Sequence, residues 1–380
     1  MLSPRYSLLV SLLFGVVHSN GVPLSPRQWS NSSSPTDWGT QTAAAVDAMM
    51  TGFYNQTAGR WQPEIAWWTS GNALQLLLDY MHATGNTTYM PQVLHTIETQ
   101  SKPLDWWPEG GGDFRADSTD DTGWWALAMV RMYDLTGNQT YLDYAILDEE
   151  YMHNYWDDTC GGGIIWDIPN LSYKNAISNE LYLTLAASLH NRIANDEIYL
   201  NRSLEAWEWF NASGMINAQN LINDGLSDDC VNNNDTVWSY NQGVILGGLV
   251  ELYAATSDAS YISKAKTIAE AALSSSLVVE GVLTEECEAT PEGCDYNQQA
   301  FKGIFTRYLG ILDTVVGGHP YREFLLTNAQ SAWDRDRNGT DFFDVSWDGP
   351  CNASAVTVAT QASAASLMLA ALNTGEGRSW

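Results

Sequence analysis

Residues 67–80 read Trp67-Trp68-Thr69-Ser70-Gly71-Asn72-Ala73-Leu74-Gln75-Leu76-Leu77-Leu78-Asp79-Tyr80, a run apolar on nearly every face. It closes at Thr84-Gly85-Asn86, and Thr88-Tyr89-Met90 opens a second, more polar stretch. The plan then returns. From Trp124 an apolar run passes Tyr133 to Thr136-Gly137-Asn138, followed by Thr140-Tyr141-Leu142. A third copy starts at Asn175-Ala176-Ile177-Ser178-Asn179-Glu180 and leads to Glu197-Ile198-Tyr199-Leu200. A fourth starts at Trp238-Ser239-Tyr240-Asn241-Gln242-Gly243 and leads to Ser260-Tyr261-Ile262; the fifth and sixth begin near Gln299 and Thr360. The starts are about 51 to 63 residues apart, room for two helices of three or four turns with their loops. A helix apolar all round is buried, and a more polar one covers it. The pattern therefore predicts an all-α fold, an (α/α)6 barrel of six inner and six outer helices. Such repeats also build open superhelices. The polar and aromatic cluster at each inner-helix start favours closure, because a ring gathers those starts at one mouth.

No Pro, Gly/Ser or like-charge stretch interrupts the apolar periodicity, so residues 36–380 read as a single catalytic domain. Ahead of it, Arg5 and the apolar run 8–17 with Val17-His18-Ser19 read as a signal peptide over 1–19, and 20–35 as a disordered lead-in. The apolar run is too short to span a bilayer. Ten N-x-[ST] triplets (at Asn31, Asn55, Asn86, Asn138, Asn170, Asn201, Asn211, Asn234, Asn338 and Asn352) agree with a secreted, extracellular glycoprotein. The chain as given ends on polar residues rather than on the apolar tail that a GPI signal needs, so no membrane anchor is expected. The expected form is a monomer. With 17 basic against 45 acidic residues and a net charge of −28, nucleic acid is excluded as a partner, since phosphate binding needs clustered Lys and Arg.

Five cysteines are an odd number for an oxidising compartment. Cys287 and Cys294 bracket a Pro- and Gly-containing loop and are the pair expected to bridge; among Cys160, Cys230 and Cys351 the spacing does not choose. Neither the cysteine spacing nor the scattered histidines resemble a zinc site. Asp334-Arg335-Asp336-Arg337-Asn338-Gly339-Thr340 imitates half a calcium loop, but Val345 stands where the closing glutamate belongs, and a glycosylated turn is the better reading. No metal and no cofactor is expected.

Chemistry concentrates at Asp120 and Asp121, at the start of the second inner helix. Neighbouring helical residues diverge by about 100°. One carboxylate can then face the groove floor while the other leans along its wall, with a reach compatible with the ~5 to 5.5 Å of retaining glycosidases. Two close carboxyls cannot ionise together easily, so one is held protonated and can serve as an acid. A pair of helix-capping aspartates is the plainer explanation. Against it stand Trp106, Trp107, Trp124 and Trp125, candidates for stacking on sugar rings in a chain with 17 tryptophans. Asn72, Asn179, Glu180, Tyr240, Asn241, Gln242 and Gln299, at the other inner-helix starts, are candidates for sugar hydroxyls, although each such residue is more often a cap or a loop anchor. Asp224 and Asp229 precede the fourth inner helix and can serve likewise. Lys302 is either a surface lysine or the partner of a groove carboxylate.

Asp120-Asp121-Thr122-Gly123-Trp124-Trp125-Ala126-Leu127-Ala128 resembles the catalytic signature of glycoside hydrolase family 76, the endo-α-1,6-mannanases. Tyr240-Asn241-Gln242-Gly243, the run 301–309 and Trp347-Asp348-Gly349-Pro350 are similar to further blocks of that family, in the same order. The resemblance implies an (α/α)6 barrel and retaining endo-hydrolysis of α-1,6-mannosidic linkages through a covalent mannosyl-enzyme. It implies Asp120 as nucleophile, Asp121 as acid/base, and an α-1,6-mannan or other mannose-containing glycan as partner. Fungal relatives include GPI-anchored wall proteins thought to act as transglycosidases on GPI-glycan mannose. A wall-associated transglycosidase is therefore one alternative, and a non-catalytic mannan-binding protein another.

Overall fold

The computed structural model describes residues 37–62 and 66–376, with side chains through Thr374. The expected signal segment, the lead-in and Asn31 lie outside the described residues. Among them are twelve α-helices: α1 (Trp38–Phe53), α2 (Trp67–Thr84), α3 (Met90–Gln100), α4 (Thr119–Thr136), α5 (Gln139–His153), α6 (Ala176–Arg192), α7 (Ile198–Ala212), α8 (Ser239–Thr256), α9 (Ala259–Leu273), α10 (Phe301–Val315), α11 (Arg322–Ser331) and α12 (Val358–Glu376). Two two-residue hairpins, Tyr54–Asn55 with Arg60–Trp61 and Val278–Val279 with Val282–Leu283, are the strands among these residues.

The even-numbered helices pack in the order α2–α4–α6–α8–α10–α12, and α12 returns to α2, so the ring closes. Their first ten or more residues are buried almost without interruption, as runs apolar on every face require. Around them α3, α5, α7 and α9 each cover the inner helix before them, and α11 covers α12 and α10. The sixth cover comes from the other end of the described chain. Starting the repeat at Trp67 leaves Trp38–Phe53 unassigned, and this segment is α1, seated on α12.

The repeated Thr-Gly-Asn has a physical explanation. Thr84 and Thr136 hydroxyls donate to the carbonyls four residues back, Tyr80 and Met132. Gly85 and Gly137 take the left-handed conformation that ends a helix cheaply. Asn86 and Asn138 then accept from the backbone N–H groups of Thr88 and Thr140, starting the next segment. Thr256-Ser257-Asp258 does the same at the end of α8, with serine in the left-handed position. Elsewhere glycine lets the inner helices touch: a Cβ on Gly303 would sit 2.3 Å from Ser363 Cα, and one on Gly243 2.6 Å from Phe305 Cα.

Two disulfides are present. Cys287–Cys294 is the local pair expected from sequence, and Cys160–Cys230 joins the loops before α6 and α8. Cys351 is free. The acceptor asparagines of the nine described N-x-[ST] triplets are exposed or half-buried. No described helix is long and apolar enough to cross a membrane. Lys302 is neither of the things expected: it is buried, 2.7 Å from Glu288, donating to the Leu283 carbonyl beneath the Trp347 ring.

Candidate active site

Every inner helix starts at the same end of the barrel, and a groove of about 770 Å³ opens there. Asp120 and Asp121 occupy the second and third positions of α4, one turn inside Ser118, the N-cap residue. They are therefore not the capping pair that an Asp-Asp before a helix usually is. Both are half-buried on the groove. Asp120 Oδ1 accepts from the Trp166 indole N–H at 3.0 Å and from the Asp121 backbone N–H at 3.0 Å.

Removal from water pushes the Asp120 carboxyl up to about 6, against these donors, which favour the anion. Asp121 is pushed well above the usual carboxylate range, first by removal from water, then by the charges of Asp120 and Asp117. Both carboxyls thus hold a proton more readily than a free aspartate, and Asp121 carries the additional repulsion of its neighbours. Opposite, Tyr173 donates to Asp224 and accepts from Asn233 Nδ2 at 3.0 Å. Burial raises the Asp224 carboxyl as well. Tyr173 and nearby Leu171 hold left-handed backbones (φ 64° and 47°), a local strain of the kind that gathers at functional sites.

The walls are aromatic. Trp106 and Trp166 project into the groove with 48% and 37% exposure, the surfaces a sugar ring would meet. Trp68 stacks on Trp124 (5.5 Å between centroids) and donates to Asn297 Oδ1 at 2.9 Å. Tyr240 lies flat on Phe301 at 3.8 Å. Arg60 is the one basic side chain among the described groove-lining residues.

The structure brings Asp120, Asp121, Trp106, Trp124, Asp224 and Tyr240 to this groove. It corrects the remaining candidates. Trp125 is fully buried, sandwiched between Trp67 and Phe114 at 4.8 and 5.1 Å. Trp107 turns away, its indole N–H donating to Tyr151 Oη at 2.9 Å. Asn72 is buried and accepts from Arg307 at 3.0 Å. Asn179 pairs with both the N–H (2.7 Å) and the carbonyl (3.1 Å) of Ile164; Gln242 does the same with Ile222, at 2.8 Å to each. A primary amide both donates and accepts, so it matches a peptide group and pins the loop before its helix. These two are loop anchors. Asn241 is buried, with no partner in the structure for either amide atom. Glu180 is also buried, neither carboxyl oxygen with a hydrogen bond, and is pushed well above the usual carboxylate range by burial, then by the Asp224 charge. Gln299 joins Thr357 to the Cys294 carbonyl, and Asp229 is exposed off the groove.

Attention to inner-helix starts misses what the loops contribute: Trp166 and Tyr173 before α6, and Asn297 before α10; Trp238, which opens the fourth copy, lines the groove as well. The doubled tryptophan at the head of the first repeat, Trp67-Trp68, was the visible signal for the remaining wall.

The pattern of Glycosyl hydrolase family 76 matches residues 37–379. "Mannan endo-1,6-alpha-mannosidase DCW1" of Saccharomyces cerevisiae is 26% identical over 368 residues, covering 90% of this chain and 80% of the relative. Two solved structures come from Salegentibacter sp. HEL1_6. Its GH76A alpha-1,6-mannanase superposes with a TM-score of 0.77 at 25% identity, covering 89% of this chain and all of that one. An inactive variant of the same enzyme, with asparagines in place of two consecutive aspartates, is in complex with alpha-1,6-mannotriose; its TM-score is 0.78 at 24% identity, with the same coverage. A match along nearly the whole barrel, including both the acidic pair and the loops that wall it, means that this chain belongs to glycoside hydrolase family 76.

Proposed function

We propose that this glycoside hydrolase cleaves internal α-1,6-mannosidic linkages of mannan with retention of configuration. Asp120 attacks the anomeric carbon, and Asp121 protonates the departing glycosidic oxygen. A mannosyl ester on Asp120 results. Asp121, now ionised, takes a proton from a water whose oxygen attacks the anomeric carbon; the ester bond breaks, and Asp120 leaves as the carboxylate.

The observation that carries this reading is the difference between the two carboxyls. The Trp166 indole and a backbone N–H favour Asp120 as an anion, while burial and then the charges of Asp120 and Asp117 favour the protonated form of Asp121. The DCW1 relative and the Salegentibacter enzyme, both described by their names as acting on α-1,6-mannan linkages, support the substrate. The inactivity of the latter's doubly substituted variant supports the pair of adjacent aspartates as the reacting groups. Trp106 and Trp166 serve as stacking surfaces, and Asp224 with Tyr240 as contacts for sugar hydroxyls.

Incubation with linear α-1,6-mannan oligosaccharides, followed by mass spectrometry and by NMR of the first-formed anomer, tests it. Shorter products released as the α-anomer are expected. Initial β-anomer would remove the covalent intermediate, and products longer than the donor in the presence of excess acceptor would reassign the reaction to transglycosylation.

A further inference from the structure

Outside the groove, the segment between α11 and α12 brings together three groups that no step of hydrolysis uses. Asp336 is fully buried, Asp344 is 4% exposed, and Cys351 is a half-buried free thiol. One donor atom from each lies within 4.8 Å of the other two. None of the three lines the groove.

Hydrogen bonds fix the two carboxylates in place. Asp344 N–H donates to Asp336 Oδ1 at 3.1 Å, Ser346 N–H to Asp344 Oδ1 at 2.7 Å, and Asn352 N–H to Asp344 Oδ2 at 2.5 Å. Asp336 Oδ2 is left without a partner although it is removed from solvent. A buried carboxylate oxygen in that state is costly, and a second carboxylate beside it adds repulsion. The Phe342 carbonyl lies 3.8 Å from Cys351 Sγ. The Lys302 ammonium, whose charge acts on Asp336, forms its ion pair with Glu288 instead.

We propose that Asp336, Asp344 and Cys351 form a structural site for a thiophilic divalent cation such as zinc, with the Phe342 carbonyl completing a four-donor set. Two carboxylate oxygens and one thiolate suit zinc, a borderline-soft ion that takes four ligands, better than calcium or magnesium, which prefer six or more all-oxygen ligands. Backbone N–H groups that orient the carboxylates are the supporting layer such sites need. The cation takes the place of the thiol proton and of any proton shared by the carboxyls, and these are released to solvent. Its effect is mechanical: it clips Cys351 to the end of the α11 segment and steadies the loop that leads into α12. The linear spacing of these residues matches no zinc motif, which is why the site is invisible in the sequence.

The test uses the full chain, stripped with chelator and titrated with zinc chloride by calorimetry. The expected result is one equivalent bound, a raised melting temperature, and Cys351 shielded from a thiol reagent. Cobalt(II) should give the near-ultraviolet sulfur-to-metal charge-transfer band that reports thiolate ligation. Cys351→Ser should abolish that band and weaken zinc at least tenfold, and Asp336→Asn, an isostere, should weaken zinc without removing the thiol. Absence of stoichiometric zinc, binding unchanged in both variants, or calcium binding as tightly as zinc would each overturn the proposal. Circular dichroism of the stripped variants separates lost ligation from lost folding.

Discussion

At the end of the barrel away from the groove, Asp79, Asp134 and Glu251 are each met by arginine. Arg131 Nε lies 2.6 Å from Asp79, Arg192 forms a two-pronged pair with Asp134 at 2.7 Å on each prong, and its other nitrogen lies 3.4 Å from Glu251. Arg307 adds a longer contact to Asp79 at 3.6 Å. Asp79, Arg131, Asp134, Arg192 and Glu251 line a second cavity, of about 350 Å³. At the groove end Asp120 and Asp224 have indole, backbone or hydroxyl donors instead, and the buried Glu180 carboxyl pairs with no arginine or lysine. One barrel thus contains acidic groups in two conditions. Arginine neutralises a carboxylate permanently and makes it structural. Leaving the carboxylate to neutral donors keeps its proton exchangeable, which acid/base chemistry requires.

If that division is real, the two ends should respond oppositely to the same isosteric change. Asp120→Asn should lower kcat at least ~1000-fold, because it removes the nucleophile, while the melting temperature holds or rises as a strained buried carboxyl is relieved. Kinetics on linear α-1,6-mannan and calorimetry of the same preparation read both. Asp79→Asn should do the reverse. It leaves Arg131 and Arg307 facing a neutral amide inside the barrel, a loss on the order of 3 to 5 kcal/mol, with kcat of the surviving folded enzyme within a few-fold of the parent. A kinetic collapse in Asp79→Asn at unchanged stability would break the comparison.

The ring itself was legible because it repeats: all-round apolar runs and Thr-Gly-Asn turns are local chemistry, and local chemistry is written in order. So was the acidic pair, which owes its position to the helix that carries it. What did not read correctly were amides. Asn179 and Gln242 stand where a sugar contact would, yet their partners are the peptide groups of Ile164 and Ile222, and only the path of the preceding loop decides between the two. Trp125 failed for a related reason: a tryptophan one position after a groove residue points about 100° away, into the core. Trp166 and Tyr173 come from a long loop with no periodicity, tied across by Cys160–Cys230. Nothing in the linear sequence aims such a loop at the groove. The place of α1 is a matter of closure, a tertiary fact that no single repeat announces.

Acidity offers a gentler probe of the same contrast. Glu149 and Glu285 are each pushed up to about 7, mainly by burial, Glu149 in spite of Arg202 at 2.6 Å. Burial, and then the Asp224 charge, also raises Glu180 well above the usual carboxylate range. A carboxyl whose folded value exceeds its unfolded one binds more protons in the native state. Its contribution is therefore fully present below about pH 4.5 and is lost as pH rises toward 7. The melting temperature should fall between pH 5 and pH 8 by several degrees, each such group contributing on the order of 1 to 2 kcal/mol. Glu180→Gln mimics the protonated acid and should flatten this slope and raise stability at pH 8. A melting temperature that climbs over the same range would mean that these carboxyls are ionised in the folded protein.

The smallest expected effect isolates the side-chain hydrogen bond to Asp120, one of two that distinguish it from Asp121. Trp166→Phe keeps an aromatic face in the groove and its edge-on contact with Tyr173 at 6.1 Å, but removes the indole N–H that donates to Asp120. A donor to a carboxylate favours the anion, so its loss raises the Asp120 carboxyl above the value of about 6 set by burial with that donor in place. The nucleophile must be ionised, so the acid limb of the kcat/KM profile should move to higher pH. At pH 5 activity should fall about tenfold, the equivalent of ~1.4 kcal/mol and near the low end for a hydrogen bond to a charged group. Above pH 7.5, where Asp120 is ionised in both proteins, parent and variant should agree within about twofold. A loss equal at every pH would assign Trp166 to sugar stacking alone. The contrast between the two aspartates would then rest on the Asp121 backbone N–H and on the Asp117 charge.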